Sequence, residues 1–488
     1  MPAVAAESPR VAPVTVADTP RATERPRVAD CELLPGAGPP IRRVALTETV
    51  DAAHAPRPTN DSERLLFRQL YDTLVRVDCA GIVRPGLAAS WRLDPTGRTW
   101  VVTLDERARF SSGDVVTATD VVSSWSVPGG GGRLHPEVRQ IVESAVPVNR
   151  QVIGITLRTS GSESPRALAD ARLAIATSGP GPWPLGTTAL RVLDRRRAEA
   201  AGVVTIALGL VGVADDTVGG SESVVRFLVT PGADSRDRLD EDDADQQIDL
   251  LVSSDPAVLA YADAQPTFIS VPLPWRRTHV LLSLARASPN RGAPPTLSLE
   301  SRQALADDAV RQESRGAEGP FWWESLGGCG PVVATRRRQA ASPSRRPSGR
   351  RIVFRASDPV SRDLVGRLVG LTAFDDPHAT ALLETLFPAG ADGLRGAGLD
   401  DAAFDRALGA GGDRAYVVRL ARQGLDPCAQ LRAFVGRAAW VGSGAAVRAV
   451  TVPLVDTRAR AVVRRGRIGL TVDHDGMVVL AGARGARP

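Results

Sequence analysis

An ordered series of helix, turn and strand signals runs through residues 63–125, ERLLFRQLYDTLVRVDCAGIVRPGLAASWRLDPTGRTWVVTLDERARFSSGDVVTATDVVSSW, and constrains the fold more than any other part of the chain. Asn60 and Asp61 are N-cap residues, and Glu63 puts a negative charge in the first turn, where it suits the helix dipole. Leu66, Leu70 and Leu74 recur at helical spacing with Phe67 and Tyr71 beside them, which predicts a helix with one apolar face. Asp78 and Gly81 flank a turn, and Pro85 and Gly86 open a short tucked segment that ends at Trp91. Asp94-Pro95-Thr96-Gly97 has turn chemistry. Trp100, Val102 and Leu104 alternate with Thr99, Val101 and Thr103, the pattern of a half-buried strand. Ser112-Gly113-Asp114 marks another turn, and Thr117 with Asp120 three residues on is a capping box opening a helix toward Trp125.

A chain of 488 residues exceeds what one compact core can organise, so more than one lobe is expected. The sequence contains no lysine, and all 60 basic residues are arginine. That excludes a P-loop lysine and a lysine Schiff base. A net charge of +5 gives only weak attraction to nucleic acid, which is not expected as a partner. Cys31, Cys79, Cys329 and Cys428 form no CxxC, so a zinc knuckle is not expected, and their pairing stays open. His54, His135, His279, His378 and His474 are isolated, without ligand spacing, so no metal site is expected. No apolar run is long enough to span a bilayer. Residues 1–40 read as a disordered arm and show no apolar core of a secretory leader, although Val28-Ala29-Asp30-Cys31 is like the end of a lipobox.

Further along, residues 41–50 and 224–229, the alternation around Ile153, Ile155 and Leu157, and the short run at 248–252 predict strands. Ser253-Ser254-Asp255-Pro256 opens a helix through Tyr261. The acidic run Asp240, Glu241, Asp242, Asp243 and Asp245 lacks EF-hand spacing and is expected on a solvated helix face. Residues 301–311 form an amphipathic helix, Trp322 and Trp323 a core plug, and the Arg/Ser/Pro stretch 336–351 a solvated loop. A strand at 352–354 followed by a helix over 357–371 suits an α/β lobe, and 462–479 supplies closing strands.

The sequence LYDTLV, then PGLAASW, then F-S-x-G at Phe110–Gly113 and T-A-x-D-V at Thr117–Val121, in that order, resembles the opening of the extracytoplasmic solute-binding proteins of family 5, the peptide/nickel group that serves ABC importers. The resemblance extends to the strand and helix at 248–261, the segment 271–280 and the segment 450–454. It implies an α/β, two-lobed periplasmic-binding-protein (type II) clamshell with a subdomain inserted in the first lobe. The implied layout is an arm at 1–40, first lobe at 41–75, inserted subdomain at 76–184, first lobe again at 185–275, second lobe at 276–449 and a return at 450–488. The implied function is capture of a peptide or similar small solute in the cleft, with delivery to a membrane permease by an extracytoplasmic monomer, without cofactor.

In the family's peptide binders a carboxylate four residues before a turn proline receives the peptide's amino terminus. Here the turn is Gln423-Gly424-Leu425-Asp426-Pro427, so the position carries a neutral amide, Gln423, and Asp426 fills the later acidic position. An amide accepts a weaker bond than a carboxylate does from an ammonium. Other cleft candidates are Glu48 and Thr49 after the first strand, Trp183 in a Pro/Gly loop, and Arg419 and Arg422 before the Asp-Pro turn. No G-x-S-x-G, HExxH or Walker loop is present, so a binding protein is expected and not an enzyme. An intracellular solute sensor of the same fold, or an enzyme with an unrecognised site, are the alternatives.

Overall fold

The computed structural model describes residues 33–34, 38–78, 82–158, 164–198, 203–210, 224–244, 246–286, 332–334, 351–373, 394–410, 414–421, 431, 447–473 and 475–480. Several expectations therefore lie outside the described residues: the four cysteines, His378 and His474, Trp322 and Trp323, the helix at 301–311, nearly all of the Arg/Ser/Pro stretch, and Arg422, Gln423 and Asp426.

The chain enters a large sheet at β1 (Arg43–Leu46) and then forms α1 (Asp61–Phe67), capped by the Asn60 side chain, which accepts from the Glu63 N–H. The predicted helix runs through Leu74, but the observed one stops at Phe67. Tertiary pairing wins there: the Leu70 carbonyl accepts from the N–H of Thr187, and the Asp72 N–H donates to the Thr187 hydroxyl at 2.8 Å. A side chain at Gly186 would meet the Leu70 carbonyl oxygen at 2.0 Å, so only glycine permits this approach.

A hairpin of β2 (Val75–Val77) and β3 (Val83–Pro85) leads into a small antiparallel sheet, β4 (Ala88–Leu93), β5 (Thr99–Leu104), β6 (Val142–Pro147) and β7 (Val152–Leu157), in the order β4-β5-β7-β6. The tucked segment ending at Trp91 is thus a full strand, because Trp91 and Leu93 pair with Val102 and Trp100 of β5. The Asp94 carboxylate closes the β4–β5 turn by accepting from the N–H groups of Arg98 and Thr99. Helix α2 (Ala118–Trp125) starts on the predicted capping box: the Asp120 N–H donates to the Thr117 hydroxyl, and the Thr117 N–H donates back to Asp120. Thr117→Ala should lower the urea midpoint by the equivalent of about 1 kcal/mol. The small sheet, α2 and a short helix α3 (Ser164–Ala167) enclose their own core around Trp125, Leu87, Val102 and Ile153.

The large sheet resumes with β8 (Leu190–Ala198), β9 (Val203–Leu210), β10 (Val224–Val229) and β11 (Leu250–Ser253). β1 lies between β10 and β11 and is parallel to both. The described part of the acidic run, 240–243, precedes β11 as loop and turn, not as a helix face: Asp240 accepts from the Tyr261 hydroxyl of α4 (Pro256–Ala264) and from the amide of Gln265, which caps that helix. Buried Asp249 ties this lobe together, accepting from the N–H groups of Arg42 and Arg43 and pairing with Arg467 at 2.8 Å.

Strand β12 (Phe268–Arg286) is 19 residues long and contributes to the cores of both lobes. It is followed by β13 (Val332–Ala334), β14 (Arg351–Arg355), α5 (Pro359–Ala373), β15 (Arg395–Leu399), α6 (Asp401–Ala410), β16 (Arg414–Ala421), and the second long strand β17 (Val447–Arg464). A closing hairpin, β18 (Leu470–Val472) and β19 (Val478–Leu480), completes the first lobe. Among the described residues the large sheet is ordered β15-β14-β16-β12-β17-β11-β1-β10-β9-β8, with β13 on β17. Two cores flank the crossing: one around Val44, Phe67, Phe227 and Leu250, the other around Leu281, Phe354, Leu364 and Val417. Each lobe thus buries its own apolar set, and among the described residues only β12 and β17 run through both.

Candidate functional site

The parallel strands β1, β10 and β11 all deliver their C-terminal ends to the same side, and the chain after β14 meets them from the second lobe. Between them lies a cleft of about 730 Å³, lined by residues 45–49, 60–62, 231–236 and 252–255 on one side and by Arg277, Ala356, Ser357, Pro359, Arg362 and Arg419 on the other. Ligand crevices in open α/β sheets form outside the carboxyl ends of the strands, and this cleft obeys that rule.

On the first-lobe wall a polar knot fixes the backbone. Glu63 is 1 % exposed and accepts from the N–H groups of Asp51 and Thr59, from the Thr59 hydroxyl, and is 2.6 Å from His54 Nδ1. Its role goes beyond the helix dipole: it pins the loop that presents Asn60 and Asp61. Glu48 reaches the start of α1, where its Oε2 accepts from the N–H groups of Asp61 at 2.8 Å and Ser62 at 3.0 Å. Burial and the neighbouring Asp61 charge push the Glu48 carboxyl up. Thr49 lines the cleft and its carbonyl accepts from the Asn60 amide.

On the second-lobe wall Arg277 faces Ala421 across the β12–β16 ladder, and His279 faces Arg419. Side chains two apart on a strand, and those directly opposite, share a face. Arg277, His279 and Arg419 therefore project together. Arg277 donates to Asp61 Oδ2 across the cleft, and Arg419 approaches the same oxygen at 3.4 Å. Burial alone would raise the Asp61 carboxyl, but the two guanidinium groups outweigh it and hold it below the ordinary carboxylate range. Burial and repulsion from Arg419 push Arg277 down to about 10. His279 is 3.2 Å from Asp358, which precedes Pro359 of α5 and also accepts from the Ser361 hydroxyl at 2.9 Å.

Of the sequence candidates, the structure brings Glu48, Thr49 and Arg419 to the cleft. Trp183 is elsewhere: it packs edge-on against Phe67, ring centroids 6.1 Å apart, beside the first-lobe core. Sequence reasoning missed Asp61 and Arg277. Asp61 stands next to the cap, where its helix-starting role hides any other, and Arg277 sits within a strand whose direction across the lobes only the fold reveals. Among the described residues no group of three or more His, Cys, Asp or Glu side chains could hold a metal ion, and no helix is long and apolar enough to cross a membrane.

Residues 83–191 match the family model described as the middle part of the bacterial extracellular solute-binding proteins, family 5. A putative binding protein of Haemophilus influenzae is 35 % identical over 66 residues, which is 14 % of this chain and 13 % of that protein. The periplasmic oligopeptide-binding protein OppA of the same organism is 44 % identical over 57 residues, or 12 % of this chain and 10 % of that one. The aligned part is thus a small fraction of these relatives. Similarity of fold extends much further. The crystal structure of NikA from Brucella suis with Fe(III)-EDTA superposes with a TM-score of 0.55 at 15 % identity, covering 90 % of this chain and 99 % of that one. A dipeptide-binding protein from a Pseudoalteromonas species, in complex with Met-Leu, gives 0.56 at 14 % identity over 90 % and 99 %. The murein tripeptide binding protein MppA of Escherichia coli gives 0.53 at 13 % over 91 % and 98 %. By its matched segment, residues 83–191, the chain is similar to the middle part of the extracellular solute-binding proteins of family 5, and its α/β fold is that of the two-lobed binding proteins above.

Proposed function

We propose that this protein is the substrate-binding component of an ABC importer, working outside the cytoplasmic membrane. It captures a peptide or similar small solute between its lobes and hands it to a membrane permease without chemical change. The observation that carries this is the 730 Å³ cleft at the carboxyl ends of β1, β10, β11 and β14, walled by two lobes that share β12 and β17. A ligand that touches both walls binds the closed arrangement better than the open one, and that difference in affinity drives closure. The layout proposed is a first lobe made of 41–75, 185–275 and 450–488, an inserted subdomain at 76–184 and a second lobe at 276–449; the sheet order, with β12 and β17 as the crossings, supports it.

Among the remaining sequence candidates, Arg422, Gln423 and Asp426 follow β16 and are proposed to face the same cleft, with Gln423 as an uncharged acceptor. Trp183 is proposed to support the α1 wall through Phe67.

Native mass spectrometry of the purified protein should show a bound small molecule, and small-angle scattering should show a smaller radius of gyration on adding it back to stripped protein. Protein that carries no ligand and shows no thermal shift with any peptide or sugar in a broad panel would overturn the assignment, as would turnover of the bound molecule.

A further inference from the structure

The charged groups around the crossing point to the chemistry of the solute. Arg277 and Arg419 lie diagonally on one face of the β12–β16 ladder, and both reach Asp61 Oδ2. The nearby anions have other work. Asp358 holds His279 and the start of α5, and Glu48 accepts from two N–H groups at the start of α1. Asp61 differs from them. The cap of α1 is Asn60, and the Asp61 N–H is satisfied by Glu48, so the Asp61 carboxylate is not required to build the helix. The Asp61 carboxylate pairs with Arg277 and Arg419 of the opposite lobe, and an opening of the cleft carries it away from them. Two guanidinium groups aimed at one oxygen, on a wall of an open cleft, make a geometry that carboxylates and phosphates satisfy with two oxygens.

We propose that Arg277 and Arg419 form an oxyanion seat on the second lobe, that the solute docks a carboxylate or phosphate there, and that Asp61 is the resident anion it displaces. This rests on the solute-binding reading above and specifies the charge of the cargo. Asp61 also lets the empty lobes meet, so closure without cargo competes with closure upon it.

The test is calorimetric titration of the full-length wild type, Asp61→Asn and Arg419→Gln proteins. The probes are citrate, inorganic phosphate, and one dipeptide offered with a free C-terminal carboxylate and as its C-terminal amide. In the wild type, losing the anionic group should weaken binding roughly ten- to a hundredfold, the worth of one charged hydrogen-bonded contact. Asp61→Asn should tighten the anionic probes about tenfold more than it tightens the amide, because it frees the two arginines for the anion besides removing empty closure. Arg419→Gln should abolish the preference for the anion while its melting curve stays cooperative; Arg419→Lys should restore part of it. Citrate against phosphate separates a carboxylate seat from a phosphate seat. Equal binding of amide and free acid, or an Asp61→Asn protein that binds anions more weakly, overturns the seat while leaving a solute-binding protein. Failure of every probe on both wild type and Asp61→Asn at millimolar concentration overturns the seat, and the assignment falls with it only if the broad panel above fails too.

Discussion

Trp125→Ala should lower the stability of the inserted subdomain by about 3–5 kcal/mol, measured as a shift in its urea transition, with binding at the cleft altered far less. Trp125 is fully buried at the end of α2, and its indole N–H donates to the Leu173 carbonyl at 3.0 Å. Truncation therefore opens a large void in the core shared with Leu87, Val102 and Ile153, and also leaves a buried carbonyl without its donor. Trp125→Phe separates the two costs: it fills most of the space and should recover more than half of the loss. An early, separate transition for the subdomain is expected because its core is distinct from those of the two lobes. A Trp125→Ala protein that melts like the wild type would refute this account.

Asp358→Ala should cost about 1–3 kcal/mol in the second lobe, since it leaves the buried His279 Nε2 and the Ser361 hydroxyl without their acceptor. Asp358 is 5 % exposed and His279 1 % exposed, at 3.2 Å. Burial would raise the Asp358 carboxyl, but His279, Arg419 and the Ser361 hydroxyl outweigh it and hold it well below its ordinary value of 3.8. A folded-state value below the unfolded one stabilises the protein above the unfolded value, and that stability is lost as pH falls below 3.8. Acid titration of the melting temperature should therefore show a steeper fall below that pH for the wild type than for Asp358→Asn. Parallel curves would show that the carboxylate does not carry this stability.

The local parts of the fold were legible because their causes are local. The Thr117–Asp120 box, the Asp94 turn and the alternation at 99–104 each depend on residues within a few positions, and each forms as expected. Where distant chain intrudes, sequence pattern fails. Leu70 and Leu74 keep helical spacing, yet residues 186–188 claim the backbone there and end the helix at Phe67. The cleft was half legible for the same reason. Glu48 and Arg419 could be proposed from their places at the ends of a strand and before a turn. Their convergence with Asp61 and Arg277 joins positions more than two hundred residues apart, which no spacing rule reports.

One consequence of the long crossing strands concerns how the halves can move. Pro272 pairs with Arg460 and Arg276 with Arg458, so three residues of β12 stand opposite Ala459 alone, while regular pairing resumes on either side. A hydrogen-bonded ladder is stiff along its length and yields where its rungs are missing. A second, smaller irregularity lies between His279 and Val280 of the same ladder, and Ala459, opposite the larger gap, itself lines the cavity. Bending at these two irregularities would set the width of the mouth from beside the cavity, through small angular changes and with little disturbance of either core.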